Sequence, residues 1–243
     1  MLRIGKFGFI NNFLAYYKLE KEGKYEIVEA DPKTLAELFE KDYVDYAPVP
    51  SYYYLKRKPK RHKFCVASDG EVYSVVVVSK GKKLGEKIAA TTKSMTSVNM
   101  LKIIIEENGL KSEVVQVNGS YREILKNYES ALLIGDEAIK ARMVYRVSMD
   151  IGEEWKDLTG FPAVFGVAVS KKESGNEIDE NVLNSVRWGR ENLDVVVEEA
   201  SRKFRLPEEF LETYFEALIH EMGKKEERGL REYEELCKVH GLL

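Results

Sequence analysis

Two adjacent amides interrupt an apolar opening: the chain begins Arg3-Ile4-Gly5-Lys6-Phe7-Gly8-Phe9-Ile10-Asn11-Asn12-Phe13-Leu14. An amide offers a donor and an acceptor without charge, which suits the orientation of a polar ligand. The competing reading is helix capping, which needs one side-chain oxygen where two are present. A second cluster, Thr91-Thr92-Lys93-Ser94-Met95-Thr96-Ser97, supplies five hydroxyls where a strand turns into a helix. Hydroxyls beside the unpaired N–H groups of a helix start make a neutral cradle for a carboxylate or phosphate. Capping by Ser94 or Thr96 would account for only one of them. Four strand-to-helix turns could bind an anion in this way: residues 8–12, 48–51, 91–97 and 135–136. In the last, Gly135 allows a tight turn and Asp136 is expected to cap the next helix; its charge would repel an anionic ligand. Tyr52-Tyr53-Tyr54 could line a cleft, or pack as helix aromatics usually do.

Other chemistries find less support. His62, His220 and His240 form no ligand cluster in sequence, which speaks against a zinc or Ser-His-Asp enzyme. Cys65 and Cys237 stand far apart in no metal-spaced motif and read as reduced structural thiols. The run Lys56-Arg57-Lys58-Pro59-Lys60-Arg61-His62-Lys63 reads as a solvated loop that could still concentrate an anionic substrate.

The elements that must position these residues alternate. Strands are expected at 2–5, 25–30, 44–48, 72–79, at a short run from 87, and at 114–117, 130–134, 146–149 and 162–169. Helices fall between them, at 14–22, from Pro32, at 98–107, 121–127 and 136–141, and the chain from 177 onward reads almost wholly helical. Asp31-Pro32 is a helix start and Gly23 a helix stop. Such βα units indicate an α/β fold with mainly parallel sheets. Two long strands, at 72–79 and 163–169, read as crossings between lobes. The expected fold is two-lobed and periplasmic-binding-protein-like (type 2), with an interlobe cleft at the C-terminal ends of strands and a helical C-terminal segment. The expected lobes are 1–79 plus 170–243, and 80–169 including the return strand.

The 243 residues suffice for one large domain or two modest lobes, and 44% hydrophobic with 33% charged residues fits a globular chain. A net charge of −3 argues against bulk electrostatic binding of nucleic acid. No apolar run reaches membrane-spanning length, and the start enters a strand with no signal-peptide pattern, so a cytoplasmic protein is expected. The helical C-terminal third offers a surface for a homodimer and equally well packs within a monomer.

The ordered landmarks resemble the chorismate dehydratases of the futalosine route to menaquinone: "RIGKFGFINNFLAYY", "VDYAPVPSYYYL", "SDGEVYSVVVVS", "TTKSMTSVNMLKIII", "ALLIGDEAI", "MDIGEEWKDLTGFPAVFGV" and "RGLREYEELCKVHGLL". The resemblance implies loss of water from chorismate, a small dianionic substrate, to give 3-[(1-carboxyvinyl)oxy]benzoate, with no metal or organic cofactor. It assigns Asn11 to the reacting hydroxyl or ring and Ser74 to one carboxylate. Thr92, Ser94, Thr96 and Ser97 would hold the other carboxylate, or share it with Ser51. No general base is evident, so the substrate's own carboxylate is expected to take the proton, with a cleft Asp or Glu as the rival. Gly8 stands where the family usually has Ser, and Asn12-Phe13-Leu14 replaces Ala-Leu-Pro. Two alternatives are an intracellular, non-catalytic binder of a small carboxylate on the same fold, and the sister dihydroxynaphthoate synthase. The latter's Ser-Pro-Cys-Pro-Asn-Asp-type opening is absent.

Overall fold

Short apolar runs alternating with amphipathic stretches become two mixed sheets with helices around them. The computed structural model describes residues 1–171 and 175–243. In chain order the first elements are β1 (Arg3–Phe7), α1 (Phe13–Glu22), β2 (Glu26–Ala30), α2 (Pro32–Glu40), β3 (Tyr46–Pro50), α3 (Ser51–Arg57) and β4 (Lys60–Ser68). There follow β5 (Val75–Ser79), β6 (Lys87–Thr91), α4 (Met95–Glu107), β7 (Glu113–Val117), α5 (Tyr121–Asn127), β8 (Ser130–Ile134), α6 (Gly135–Arg142), β9 (Arg146–Asp150) and α7 (Ile151–Thr159). The chain closes with β10 (Ala163–Ser170), α8 (Gly175–Glu191), α9 (Leu193–Phe204), α10 (Glu208–Ala217), β11 (Leu218–Glu221) and α11 (Lys224–Val239).

Two units result: Met1–Ala67 with Val164–Gly223, and Ser68–Ala163 with Lys224–Leu243. The first holds a six-stranded sheet in the order β11-β4-β10-β3-β1-β2, the second a five-stranded sheet in the order β7-β6-β8-β5-β9. In the first, β1 runs parallel to β2 and β3, while β10 is antiparallel to β3. In the second, β6 is parallel to β7 and β8, and β5 is antiparallel to β8 and β9. One face of the second sheet, with Val76, Val78, Ala89, Ala131 and Leu133, packs on Tyr121, Ile124 and Leu125 of α5 and Ala138 and Ala141 of α6. Val77 and Leu132, which alternate with them, are buried as well. A strand covered on both faces needs apolar side chains on both, hence the unbroken valines of β5.

These boundaries differ from the lobes expected from sequence. β5 joins the second sheet through β8 and β9, and β10 joins the first through β3. A buried apolar strand pairs equally well in either sheet as far as its own pattern goes, and only its partners decide. Residues 224–243 belong to the second unit. Tyr233 of α11 packs edge-on against Trp155 of α7 at 5.7 Å, and both are fully buried. Gly229 permits this approach, because a Cβ there would lie 2.3 Å from the Pro162 carbonyl oxygen. Gly229→Ala is expected to lower stability by about 1–3 kcal/mol through overpacking, read as a lower urea midpoint with an unchanged m-value.

The end of α11 is held electrostatically. The His240 ring bonds Glu106 through Nδ1 (2.9 Å) and Glu107 through Nε2 (2.8 Å), and its side chain is 7% exposed. Burial alone would lower its pKa, but the two carboxylates outweigh burial and the net direction is upward. A raised folded pKa adds stability that is full below the unfolded value of 6.5 and lost as pH rises through the folded value. The Tm advantage of the wild type over His240→Gln should therefore shrink as pH is raised from about 6 to 9. A constant gap would exclude the double ion pair.

The basic run proves to be the last turn of α3 and the start of β4 rather than a loop. Lys58 adopts φ +46°, Lys60 and Lys63 are exposed, and His62 is buried with Nε2 2.7 Å from Ser170 Oγ. The C-terminal stretch expected to be almost wholly helical also holds β11, a four-residue strand between α10 and α11. Capping at Asp31 occurs as expected, its carboxylate accepting from Lys33 N and Thr34 N at 3.1 Å each.

Candidate functional site

In the first unit, β1 and β3 are parallel neighbours, Ile4 facing Tyr46, so both strands end at one edge of the sheet. Asn11 follows β1 in a 3-10 turn, Ile10–Asn12, and Ser51 follows β3 directly. Neither asparagine side chain caps a helix. Asn12 is fully buried, and its Oδ1 accepts from Phe7 N (3.1 Å) while its own N–H donates to Phe9 O (3.1 Å). It ties the turn back to the strand. Among the described residues, Asn11 Oδ1 is buried without a partner, and so is Asn12 Nδ2. Buried polar atoms are nearly always bonded, so both are open to a ligand or a water; Asn12 differs in having its oxygen committed to the fold. The Asn11 backbone carbonyl lies 2.9 Å from His220 Nε2. Ser51 is fully buried and donates to Val164 O at 2.7 Å. Here its proton points into the sheet rather than toward a ligand.

Gly8 carries no backbone requirement for glycine. A Cβ there would meet its nearest atoms, in Ala30 and Glu29, at 3.8 Å, an ordinary contact. Gly8→Ser should fold with a stability change within about 0.5 kcal/mol. Thermal unfolding checks this, and a large loss would mean that the position is closed to a side chain.

In the second unit the register aligns β6, β8 and the start of β5 at one edge: Ala90 faces Leu132, and Ile134 faces Val75. Ser74 precedes β5 and is buried. The turn before it is tight. Ser74 N donates to Val72 O at 2.7 Å across Tyr73, whose φ is +61°. This is a strained three-residue turn for a residue with a Cβ. Asp150, at the end of β9, holds it. One carboxylate oxygen accepts from Val72 N (2.9 Å), Gly152 N (3.0 Å) and Glu153 N (3.4 Å), and the other from Tyr73 N (2.8 Å). Burial raises the Asp150 pKa and these four bonds oppose the rise. Arg142 donates to Tyr73 O (2.8 Å) and lies over its ring. Gly135 N donates to Ser74 O (2.7 Å), and Gly135 supplies the φ of +59° that this approach requires. Asp136 does not cap α6. The cap position is Ile134, which has no side-chain bond, and Asp136 lies in the first turn.

The hydroxyl-rich turn divides its work. Ser94 is the cap of α4, accepting from Ser97 N (3.2 Å) and donating to Ser97 Oγ (2.8 Å). Thr92 donates to Asn118 Oδ1. Thr96 is buried, and its carbonyl accepts from Tyr233 OH (3.4 Å). Of the expected anion ligands here, Ser97 accepts from Ser94 and keeps its own proton to give. Among the tyrosines, Tyr53 is buried and pushed up to about 12 by burial and then by Glu40. Tyr52 and Tyr54 lie half-buried beneath Lys56 and Lys58.

Asp150 and His220 were not singled out from sequence. An acidic residue after a strand and before Ile151-Gly152-Glu153 carries the signal of a helix cap, but not of a clamp on residues 72–73. His220 carries no local signal, since its strand lies in a stretch with helical composition.

A model of the menaquinone-biosynthesis family matches residues 2–239. The chain is 28% identical to a chorismate dehydratase of Thermus thermophilus, over 90% of this chain and 89% of that protein. Among solved structures, a protein from Archaeoglobus fulgidus superposes with a TM-score of 0.80 at 19% identity, covering 100% of this chain and 98% of the other. The alkanesulfonate-binding protein SsuA from Xanthomonas axonopodis pv. citri, bound to MOPS, gives 0.73 at 12% identity, with 100% and 93% covered. The fold is therefore periplasmic-binding-protein-like. With the family model spanning nearly the whole sequence, the chain belongs to the menaquinone-biosynthesis family.

Proposed function

We propose that this protein is a chorismate dehydratase, a carbon–oxygen lyase that removes water from chorismate to give 3-[(1-carboxyvinyl)oxy]benzoate, acting in the cytoplasm in the futalosine route. The observation that carries this reading is the end-to-end similarity to the Thermus thermophilus chorismate dehydratase. The local geometry supports it. Loss of the ring hydroxyl and a ring proton makes an aromatic ring, so the driving force lies in the substrate, and the protein must orient, stabilise developing charge and exclude water. Asn11, with an uncommitted buried oxygen, engages the reacting hydroxyl or ring. Ser74 and Ser97 are the serines whose protons are free for the substrate carboxylates, Thr92 and Ser94 having directed theirs to Asn118 and Ser97. Thr96 contributes through the start of α4, where backbone N–H groups favour an anion.

None of these groups is a base. Asp150, the buried carboxylate beside Ser74, has both oxygens occupied by backbone N–H groups. The substrate's own carboxylate is the proton acceptor on this reading, with another Asp or Glu of the cleft as the rival. Replacing each remaining Asp or Glu near the site should then leave turnover within about tenfold, and an isosteric Asn or Gln change that abolished turnover but not binding would refute the substrate-assisted step.

The decisive experiment is incubation of the purified protein with chorismate, with the enolpyruvyl benzoate followed by mass spectrometry. Absence of product from folded protein overturns the dehydratase reading. Stabilisation by chorismate without conversion would identify a non-catalytic binder. Turnover of a dihydroxynaphthoate precursor instead would identify the sister synthase.

A further inference from the structure

We propose that His220 is the positioning residue for Asn11: its Nε2–H grips the Asn11 backbone carbonyl and so sets where the asparagine side-chain oxygen, unpaired among the described residues, points. This rests on the reading of Asn11 as the group that meets the substrate. The turn that carries Asn11 has only three residues and must be held at both ends. Asn12 Oδ1 secures it to Phe7 N, and Asn12 N to Phe9 O. Neither bond touches Asn11. A hydrogen bond that does touch it, at 2.9 Å, comes from a residue 209 positions away.

The construction behind His220 has the same purpose. Its ring stacks on Phe64, 5.9 Å between centroids and 3° from parallel. Arg190 of α8 donates to Phe215 O at 2.7 Å and also to Leu218 O, fixing the end of α10 and the first residue of β11. Met222 N donates to Lys63 O at 2.7 Å and closes the far end of the strand. Burial and then the Arg190 charge lower the His220 pKa to about 4, so the ring is neutral at neutral pH and carries one ring proton. A carbonyl partner requires that proton on Nε2. Nδ1 is then bare, and it is buried with no partner. Among the described residues His220 Nδ1 and Asn11 Oδ1 are both buried without a partner, as is Asn12 Nδ2 in the same turn; what sets His220 apart is its bond to the Asn11 carbonyl, which a phenylalanine filling the same stack could not make.

The test uses the full chain. His220→Phe keeps the stack on Phe64 and removes the donor; His220→Gln restores a donor of similar reach. His220→Phe is expected to lower kcat for chorismate about 10- to 100-fold with KM nearly unchanged, and His220→Gln to recover most of the loss. Full kcat in His220→Phe overturns the proposal. A second readout does not depend on turnover: the Asn11 side-chain amide resonances, identified by their loss in Asn11→Ala. These should shift or broaden in His220→Phe and return in His220→Gln; unchanged resonances overturn the proposal even if the wild type proves not to act on chorismate. If His220→Phe fails to fold, 15N spectra of the wild-type imidazole decide. The Nε2–H tautomer supports the proposal, and the Nδ1–H tautomer, which cannot donate to the carbonyl, refutes it.

Discussion

Asn11→Ala is expected to lower kcat for chorismate by roughly 10²- to 10³-fold while leaving stability within about 0.5 kcal/mol of wild type. The two halves of this prediction come from one observation. Among the described residues Asn11 Oδ1 makes no hydrogen bond, so none is lost at that atom when the side chain is removed. The bond to His220 uses the backbone carbonyl, which alanine retains. Asn12→Ala should behave in the opposite way. Asn12 is fully buried and its Oδ1 satisfies Phe7 N, so alanine leaves a buried N–H unpaired and costs about 1–3 kcal/mol. Steady-state kinetics and urea unfolding on the two variants separate the roles. Equal stability loss in both would remove the case for Asn11 as a ligand-directed group.

The second large effect lies at Asp150. Alanine there orphans four backbone N–H groups at once: two at the start of α7 and two in the turn before Ser74. The expected loss is about 3–5 kcal/mol, combining a lost helix cap with unpaired buried donors. The raised pKa of this carboxylate shows that burying its charge already offsets part of what the four bonds supply. Removing it does not recover that offset in full, because the Val72 and Gly152 N–H groups stay buried. Asp150→Asn is the finer probe. Its oxygen can replace the one that serves Val72, Gly152 and Glu153, while its NH2 would oppose Tyr73 N. The cap survives and the strained turn at Tyr73, φ +61°, loses its clamp. We expect a loss of about 1–2 kcal/mol and a raised KM, since Ser74 is the next residue. Urea unfolding gives the first quantity and substrate titration the second. An Asp150→Ala variant within about 1 kcal/mol of wild type would show that the carboxylate is not the clamp.

Most elements were legible in the residues because local chemistry sets them. Asp31-Pro32 starts α2 by its own carboxylate, Gly23 ends α1 at φ +64°, and the valines of β5 announce a strand buried on both faces. The ordered landmarks also carried the family, which the match over residues 2–239 shows. What sequence could not decide was partnership. β5 and β10 were recognisable as buried strands, but their sheets depend on register with residues far along the chain. β11 escaped notice because four residues in a helical-looking stretch become a strand only through neighbours. The same limit applies at the site. That Asn11 and Asn12 were chemically useful could be read from their amides. That Asn12 braces the turn, Asn11 is left with a free oxygen, and Ser51 has given its proton to Val164 O could not. An amide or hydroxyl is defined by sequence, but whether its bonding capacity is already used is set by groups as far as 113 residues away, which only the folded chain brings within 3 Å.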